Sequence, residues 1–275
     1  MEDTEHLAID QLDASDAAGG LKLSAEAHWN QTEDDWRFFL TRGIVFGTRD
    51  CRGALVATAA LLPYTERDGW ISMVLVTESF RRRGLATRLV DTCLTTATKL
   101  GLTAWLDATP AGAQVYGPLG FTPTIQLRRL RLANPTASGT AASPPAGKIN
   151  EFLTCDISAM GFGRRALLQE LSGRPASRLL SIGNAMALVR DGRTARHVGP
   201  LFAVNPAHAL AMVRDIAASE NGPLLIDAVA TQDVFLKGLT DDGWTHERPF
   251  QRMRFGRATS EAAELPFAVA GPEFG

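Results

Sequence analysis

The 275-residue sequence holds only three cysteines, Cys51, Cys93 and Cys155, odd in number and widely spaced. That excludes a disulfide framework and a C-x-x-C metal or redox site, and it suits a reducing compartment. The five histidines show no H-x-x-x-H spacing, so no metal site is expected. No apolar run approaches the ~18 residues of a membrane span. The first 20 residues are acidic where a signal peptide would be basic and then apolar. A cytoplasmic protein without a membrane partner is the expectation. Charge of one sign is also lacking: the net charge is −2, with 14 basic and 16 acidic residues up to Leu132 and 14 of each beyond it. Neither half carries a basic surface, so nucleic acid is not expected as a partner.

What is present suits a folded chain of two domains: 45% of the residues are apolar and 21% charged. Small, turn-forming residues run from Ala133 to Gly147, which sets domains at 1–132 and 151–257 around a linker at 133–150. The stretch 258–275, with two prolines and scattered apolar residues, reads as a loosely packed tail. In the first domain Thr32 is a plausible cap for a helix opening with Glu33, Asp34 and Asp35. Ile44 to Thr48 and Ala54 to Leu62 read as a hairpin, Trp70 to Val76 as a buried strand, and Ala104 to Ala108 as another. Leu85, Leu89, Cys93, Ala97 and Leu100 recur at helical spacing, with Gly101 just beyond. The sequence predicts an α/β or α+β layer arrangement.

The second half repeats the first. Gly120-Phe121-Thr122 and Arg129-Leu130-Arg131-Leu132 align without gaps on Gly243-Trp244-Thr245 and Arg252-Met253-Arg254-Phe255, and Leu106-Asp107-Ala108 has a counterpart in Ile226-Asp227-Ala228.

The chemistry concentrates between Val74 and Thr87. A strand ending in Val74, Leu75 and Val76 passes through Arg81, Arg82, Arg83 and Gly84 into a helix starting at Leu85, Ala86 and Thr87. Unpaired backbone N–H groups and the positive end of the helix dipole converge there, so the loop is expected to bind an anion. The competing reading is a solvated arginine run before an ordinary helix. The loop fits neither a P-loop nor a three-glycine dinucleotide fingerprint, which removes support for nucleotide hydrolysis and hydride transfer.

Arg81-x-x-Gly84-x-Ala86 resembles the pyrophosphate loop of the GNAT superfamily of N-acetyltransferases, and Tyr116-x-x-x-Gly120-Phe121 is similar to that family's second signature. The likeness covers Trp29 to Leu132, and the segment around Leu106 to Gly112 resembles a bacterial tandem-GNAT subgroup with a divergent second domain. Where the family often has asparagine and alanine before the tyrosine, this chain has Thr109 and Gly112. The resemblance implies two tandem domains, each a mixed, mostly antiparallel twisted sheet flanked by helices. It implies acetyl-CoA as donor, with coenzyme A as product. Backbone groups of Val74 and Val76 would hold the pantetheine arm, the loop would hold the diphosphate, and Thr109 would contact the cofactor arm.

Direct transfer to the amine of a small-molecule acceptor would need a proton for the departing thiolate, and Tyr116 is the candidate general acid; the bland reading makes it a core aromatic. For the base, Glu26, His28, Glu33, Asp34 and Asp107 stand open beside a water relay. Trp29, Asn30 and Asp107 are weak candidates for the acceptor pocket, and buried Cys93 argues against an acetyl-cysteine route. The alternative class is a non-catalytic acyl-CoA-binding sensor or scaffold. In the second copy the chain runs from Val204 through Asn205-Pro206 straight into a helix, without the arginine-glycine loop and without a tyrosine. That copy is expected not to bind acetyl-CoA, and to complete the acceptor pocket or pack against the first domain.

Overall fold

The computed structural model describes residues 7–135, 146–257 and 266–275. It divides into two compact units. The described residues of Met1–Leu106, Ala111–Thr122 and Met253–Ala258 form the first, and those of Asp107–Pro110, Pro123–Arg252 and Thr259–Gly275 form the second. These units do not follow the linear boundaries expected from composition. Most of the expected linker and the first part of the expected tail lie outside the described residues.

In the first unit β1 (Asp10–Gln11), β2 (Ile44–Arg49), β3 (Leu55–Pro63), β4 (Asp68–Val76) and β5 (Thr103–Ala108, which leaves this unit after Leu106) form a sheet in the order β1-β2-β3-β4-β5. All its pairings are antiparallel except β4 with β5. Helix α1 (Ala17–Glu26), with Gly19 and Gly20 inside it, is not expected from the sequence. Gly20 lies under the fully buried Trp36 ring, where a Cβ would come within 2.4 Å, and Trp36 Nε1 donates to Ser24 Oγ at 2.9 Å. Packing and one buried hydrogen bond outweigh the helix cost of two glycines, about 1 kcal/mol each. Helix α2 (Glu33–Arg42) starts at the expected Thr32, whose hydroxyl and the Asp35 carboxylate cap each other's backbone N–H. Helix α3 (Leu85–Lys99) buries Leu85, Leu89, Cys93 and Ala97, while Leu100, past its end, is half exposed. Helix α4 (Pro110–Tyr116) follows β5.

In the second unit β6 (Thr122–Leu132, within this unit from Pro123), α5 (Ile149–Met160), α6 (Arg165–Gly173), β7 (Arg178–Ile182), β8 (Ala185–Arg190), β9 (Arg196–Ala203), α7 (Pro206–Ser219), β10 (Leu224–Val229), α8 (Asp233–Asp241) and β11 (Thr245–Phe255, within this unit to Arg252) succeed one another along the chain. Its strands run in the order β11-β6-β10-β9-β8-β7; β6 with β10, β9 with β8 and β8 with β7 are antiparallel, and β9 with β10 is parallel. Val198, Leu201, Met212, Ile216, Ile226, Phe235 and Trp244 lie in its core. The repeat read from the sequence is visible in this fold, because β6 and β11 bury the same positions along their 11 residues.

The expected loose tail is corrected where it is described. Every residue of 266–275 except the half-buried Pro272 is buried. Phe267, Ala268, Val269 and Phe274 are at most 5% exposed, because the segment lies between β9 and β10.

Two buried ion pairs stand at repeat-related positions. Arg129 meets Asp227 through two bonds of 2.9 and 2.8 Å, and Arg252 meets Asp107 through two of 2.8 and 2.9 Å. Burial alone would raise the Asp227 carboxyl, but Arg129 and the bond from His197 outweigh it and hold it below the ordinary carboxylate range. Replacing Asp227 by Asn strands a guanidinium in the core and is expected to cost about 3–5 kcal/mol of stability, read by chemical denaturation. His197 Nε2 lies 2.9 Å from Asp227 Oδ2, and burial pushes the imidazole below its ordinary 6.5. The unfolded chain therefore binds this proton more readily than the folded one, and the stabilisation is lost as pH falls through the unfolded value. Thermal stability is expected to drop between pH 7 and about 5.5, where histidines rather than carboxylates titrate, and to drop less in a His197→Gln variant.

Candidate active site

In the first unit β4 and β5 pair only over Asp68–Thr103, Gly69–Ala104 and Trp70–Trp105. Beyond Trp70, β4 runs on to Val76 with β3 on one side, and among the described residues no other segment bonds its backbone to residues 71–76 on the β5 side. A bulge interrupts this stretch: Met73 has φ 52°, and the Thr58 hydroxyl donates to its carbonyl at 2.8 Å. Val74 and Val76 are half-buried and Leu75 is buried. The result is an open strand edge of the kind to which an extended ligand adds as a further strand.

The strand delivers the chain into the arginine loop. Arg81 Nε donates to the Val76 carbonyl at 3.0 Å, and an Arg83 guanidinium N–H donates to Ser79 O at 2.7 Å while the group sits 5.0 Å over the Phe80 ring. Arg82 at φ 60° and Gly84 at φ 77° turn the chain into α3. Gly84 has nothing within 4 Å of where a Cβ would stand, so its role is conformational: the left-handed backbone admits glycine at no steric cost. It is also the N-cap of α3 and contributes no side-chain cap, so the first N–H groups, those of Leu85, Ala86 and Thr87, point outward from the helix start. Exposed Arg81, Arg82 and Arg83 surround them. These residues fit a diphosphate: open donors, a helix dipole and three cations at one place.

Glu26, weighed from the sequence only as a base, has another place in the structure. Its carboxylate accepts from the Thr77 hydroxyl at 2.8 and 2.7 Å and from the Glu78 N–H at 2.7 Å, tying the end of α1 to the entry of the loop. The Thr77 bond holds its pKa below the ordinary value, so it is a poor proton acceptor near neutrality. Fifty-one residues separate Glu26 from Thr77, and no local pattern could reveal the contact. Of the other base candidates, Glu33 pairs with Arg37 at 2.6 Å and Asp34 is an exposed residue of the first turn of α2.

Tyr116 ends α4. Its carbonyl accepts from the N–H groups of Leu119 and Phe121, and its ring packs 6.0 Å from Phe121, which in turn lies 5.7 Å from Phe255. Gly120, at φ 96°, makes the turn. Burial, with Cys93 nearby, pushes the phenol up to about 12. Cys93 itself is pushed up to about 12 by burial, which keeps it a thiol. Trp29 is half-buried and Asn30 buried in the turn between α1 and α2, beside buried Gln31, whose side-chain oxygen has no hydrogen-bond partner among the described residues. Asp107 and the half-buried Thr109 group with the second unit. Both Asp107 oxygens are engaged by Arg252, which assigns this residue to the ion pair, and no acceptor contact is attributed to it.

Residues 10–121 match the acetyltransferase (GNAT) family, and residues 152–268 match a second acetyltransferase (GNAT) domain. The chain belongs to the GNAT acetyltransferases. Over 228 residues it is 24% identical to the uncharacterised N-acetyltransferase YitH of Bacillus subtilis, covering 79% of this chain and 80% of that one. Among solved structures, a Pyrococcus horikoshii protein assigned to the acetyltransferases matches with a TM-score of 0.79 at 17% identity, covering 97% of this chain and 95% of the other. A tandem GNAT protein from the clavulanic acid biosynthesis pathway matches with a TM-score of 0.65 at 16% identity, over 92% and 100% of the two chains. At such identities these structures speak for the fold alone. The protein is thus an acyltransferase of two GNAT domains in tandem. Among the described residues, no helix is long and apolar enough to cross a membrane.

Removing the Glu26 tether is expected to loosen the entry of the loop without touching Tyr116. Glu26→Ala should weaken coenzyme A binding by about fivefold, the worth of one hydrogen bond, with kcat preserved at saturating donor; titration calorimetry and steady-state kinetics read the two.

Proposed function

We propose that the first unit is the catalytic one, and that it transfers an acetyl group from acetyl-CoA directly to the amine of a small-molecule acceptor. The observation that carries this is the open edge of β4, which ends in the arginine loop and the uncapped start of α3. A thioester donor, when bound, supplies an acyl group already activated for attack. The chain's own residues supply the rest. The backbone of β4 orients the donor arm through Val74, Leu75 and Val76. Arg81, Arg82, Arg83 and the N–H groups of Gly84, Leu85, Ala86 and Thr87 neutralise the diphosphate. A backbone N–H facing the acyl oxygen stabilises the charge that develops there.

Tyr116 Oη holds its proton at neutral pH, because burial has moved its titration to about 12, and it gives that proton to the departing thiolate. The acceptor amine must arrive neutral. Glu26 is committed to the loop and Asp107 to Arg252, so solvent is proposed to take the amine proton. Trp29 and Asn30, in the α1–α2 turn, are proposed to face the acceptor. A cytoplasmic setting suits the free thiols of Cys51, Cys93 and Cys155.

The test pairs binding with turnover. Acetyl-CoA at a hundredfold excess over its dissociation constant should stabilise the protein by about 2.7 kcal/mol, and a variant with Arg81→Ala and Gly84→Val should lose that shift. With an amine panel, Tyr116→Phe should lower kcat at least tenfold while leaving the shift intact. No shift in the wild-type protein, or unchanged turnover in Tyr116→Phe, would overturn the reading.

A further inference from the structure

The second unit contains the same parting of parallel strands as the first, with a different outcome. β9 and β10 pair over Leu224–Arg196, Leu225–His197 and Ile226–Val198, and there the parallel ladder stops. Beyond it, both strands bond to residues 266–275. Phe267 N–H donates to Leu201 O at 2.9 Å and Leu201 N–H to Ala268 O at 3.0 Å on the β9 side. Val229 N–H donates to Phe267 O at 3.1 Å and Val269 N–H to Asp227 O at 3.0 Å on the β10 side. The segment is a short added strand that satisfies both edges at once.

Its side chains are fitted to the groove. Phe267 packs edge-on to Phe235 at 5.2 Å, Ala268 is fully buried, and Val269 joins Leu127, Val229 and Phe250. Beneath it Gly199, at φ 152°, leaves room that no other residue would: a Cβ there would lie 2.1 Å from Val269 O. The residues after Val269 are locked by charge. Arg190 donates to Ala270 O at 3.1 Å and to Glu273 at 2.5 Å, with its guanidinium 5.2 Å from the Phe274 ring. Arg164, paired with Asp156 at 2.6 Å, donates to Phe274 O at 2.7 Å and to Gly275 O. Both guanidinium side chains are at most 2% exposed. Withdrawing the segment would leave buried cations short of partners, so the arrangement is a resident one rather than a lid.

We propose that the groove between β9 and β10 is a polypeptide-binding site whose ligand is residues 266–275 of the same chain, and that this occupancy closes the second unit to acyl-CoA. The part concerning acyl-CoA rests on the reading of β4 as the donor site. The start of α7 agrees with it. Asn205 Oδ1 accepts the His208 N–H at 3.0 Å, and Pro206, with no N–H, stands in the first turn. Two of the donors that α3 leaves open are therefore missing or used.

Hydrogen exchange read by mass spectrometry, on the whole chain with and without saturating coenzyme A, tests the proposal together with native mass spectrometry for stoichiometry. Amides 201, 229 and 267–269 should exchange as slowly as those of β8 and be unchanged by coenzyme A, while 71–88 gain protection, and one coenzyme A should bind per chain. Rapid exchange at 267–269, loss of their protection on adding coenzyme A, or two molecules bound per chain would each overturn it. If coenzyme A does not bind at all, the reading of the first unit falls, and exchange at 267–269 still decides the occupancy. Gly199→Ala should speed exchange at 267–269 by about tenfold while leaving 85–99 unchanged; unchanged protection at 267–269 would refute the packing.

Discussion

Two parallel strands that part after three paired residues leave backbone donors and acceptors facing each other across a widening gap, and a folded protein has to satisfy them. Each unit meets this constraint once, at Trp70–Trp105 and at Val198–Ile226. In the first, the open edge of β4 leads into a loop with exposed arginines and an uncapped helix. In the second, the gap is filled by Phe267, Ala268 and Val269, and the helix after β9 is capped by its own Asn205. The difference between an open edge and a filled one is thus whether a segment of the same chain completes the ladder.

A second constraint is electrostatic. Asp107 and Asp227 occupy repeat-related places near the ends of β5 and β10, and each is met by the arginine of the other repeat, Arg252 and Arg129. A buried carboxylate with a two-pronged guanidinium is tolerable because every charge has its countercharge, and intolerable once either partner is lost. The two arginines stand on β6 and β11, whose burial patterns coincide along all 11 residues. The ladder between β6 and β10, from Leu224–Leu132 to Val229–Leu127, keeps β6 with the second unit.

Where a pattern is local, the sequence predicts the structure closely. Thr32 with Asp35, the apolar row from Leu85 to Ala97, and the glycine before Leu85 each carry their own geometry within a few residues, and each stands where expected. Helix α1 is illegible in the sequence because Gly19 and Gly20 argue against a helix until Trp36 is known to cover Gly20. The Glu26 tether and the burial of 266–275 are illegible for the same reason at longer range. Isolated apolar residues near Pro266 read as a loose tail because their partners, Leu201, Val229 and Phe235, are dozens of residues away. The arginine run and the glycine before α3 are readable from residue types alone, whereas the openness of β4 is not, since it depends on where β5 stops pairing.

A fold with two parting strand pairs has two edges to manage. An edge strand with unpaired backbone invites any extended chain, including a second protein molecule. In the first unit three exposed arginines and the open N–H groups at the start of α3 stand at the end of that edge, features suited to an anionic ligand rather than a bare peptide. In the second unit β9 leads straight to a helix capped by Asn205 with Pro206 in its first turn, and an open β9 edge there would be a liability. Gly199 makes room for Val269, Arg190 and Arg164 hold the residues from Ala270 to Gly275, and the edge is covered from within the chain. The filled groove and the capped start of α7 go together physically: with Phe267, Ala268 and Val269 bonded to both strands, the backbone edge that leads toward α7 is already engaged.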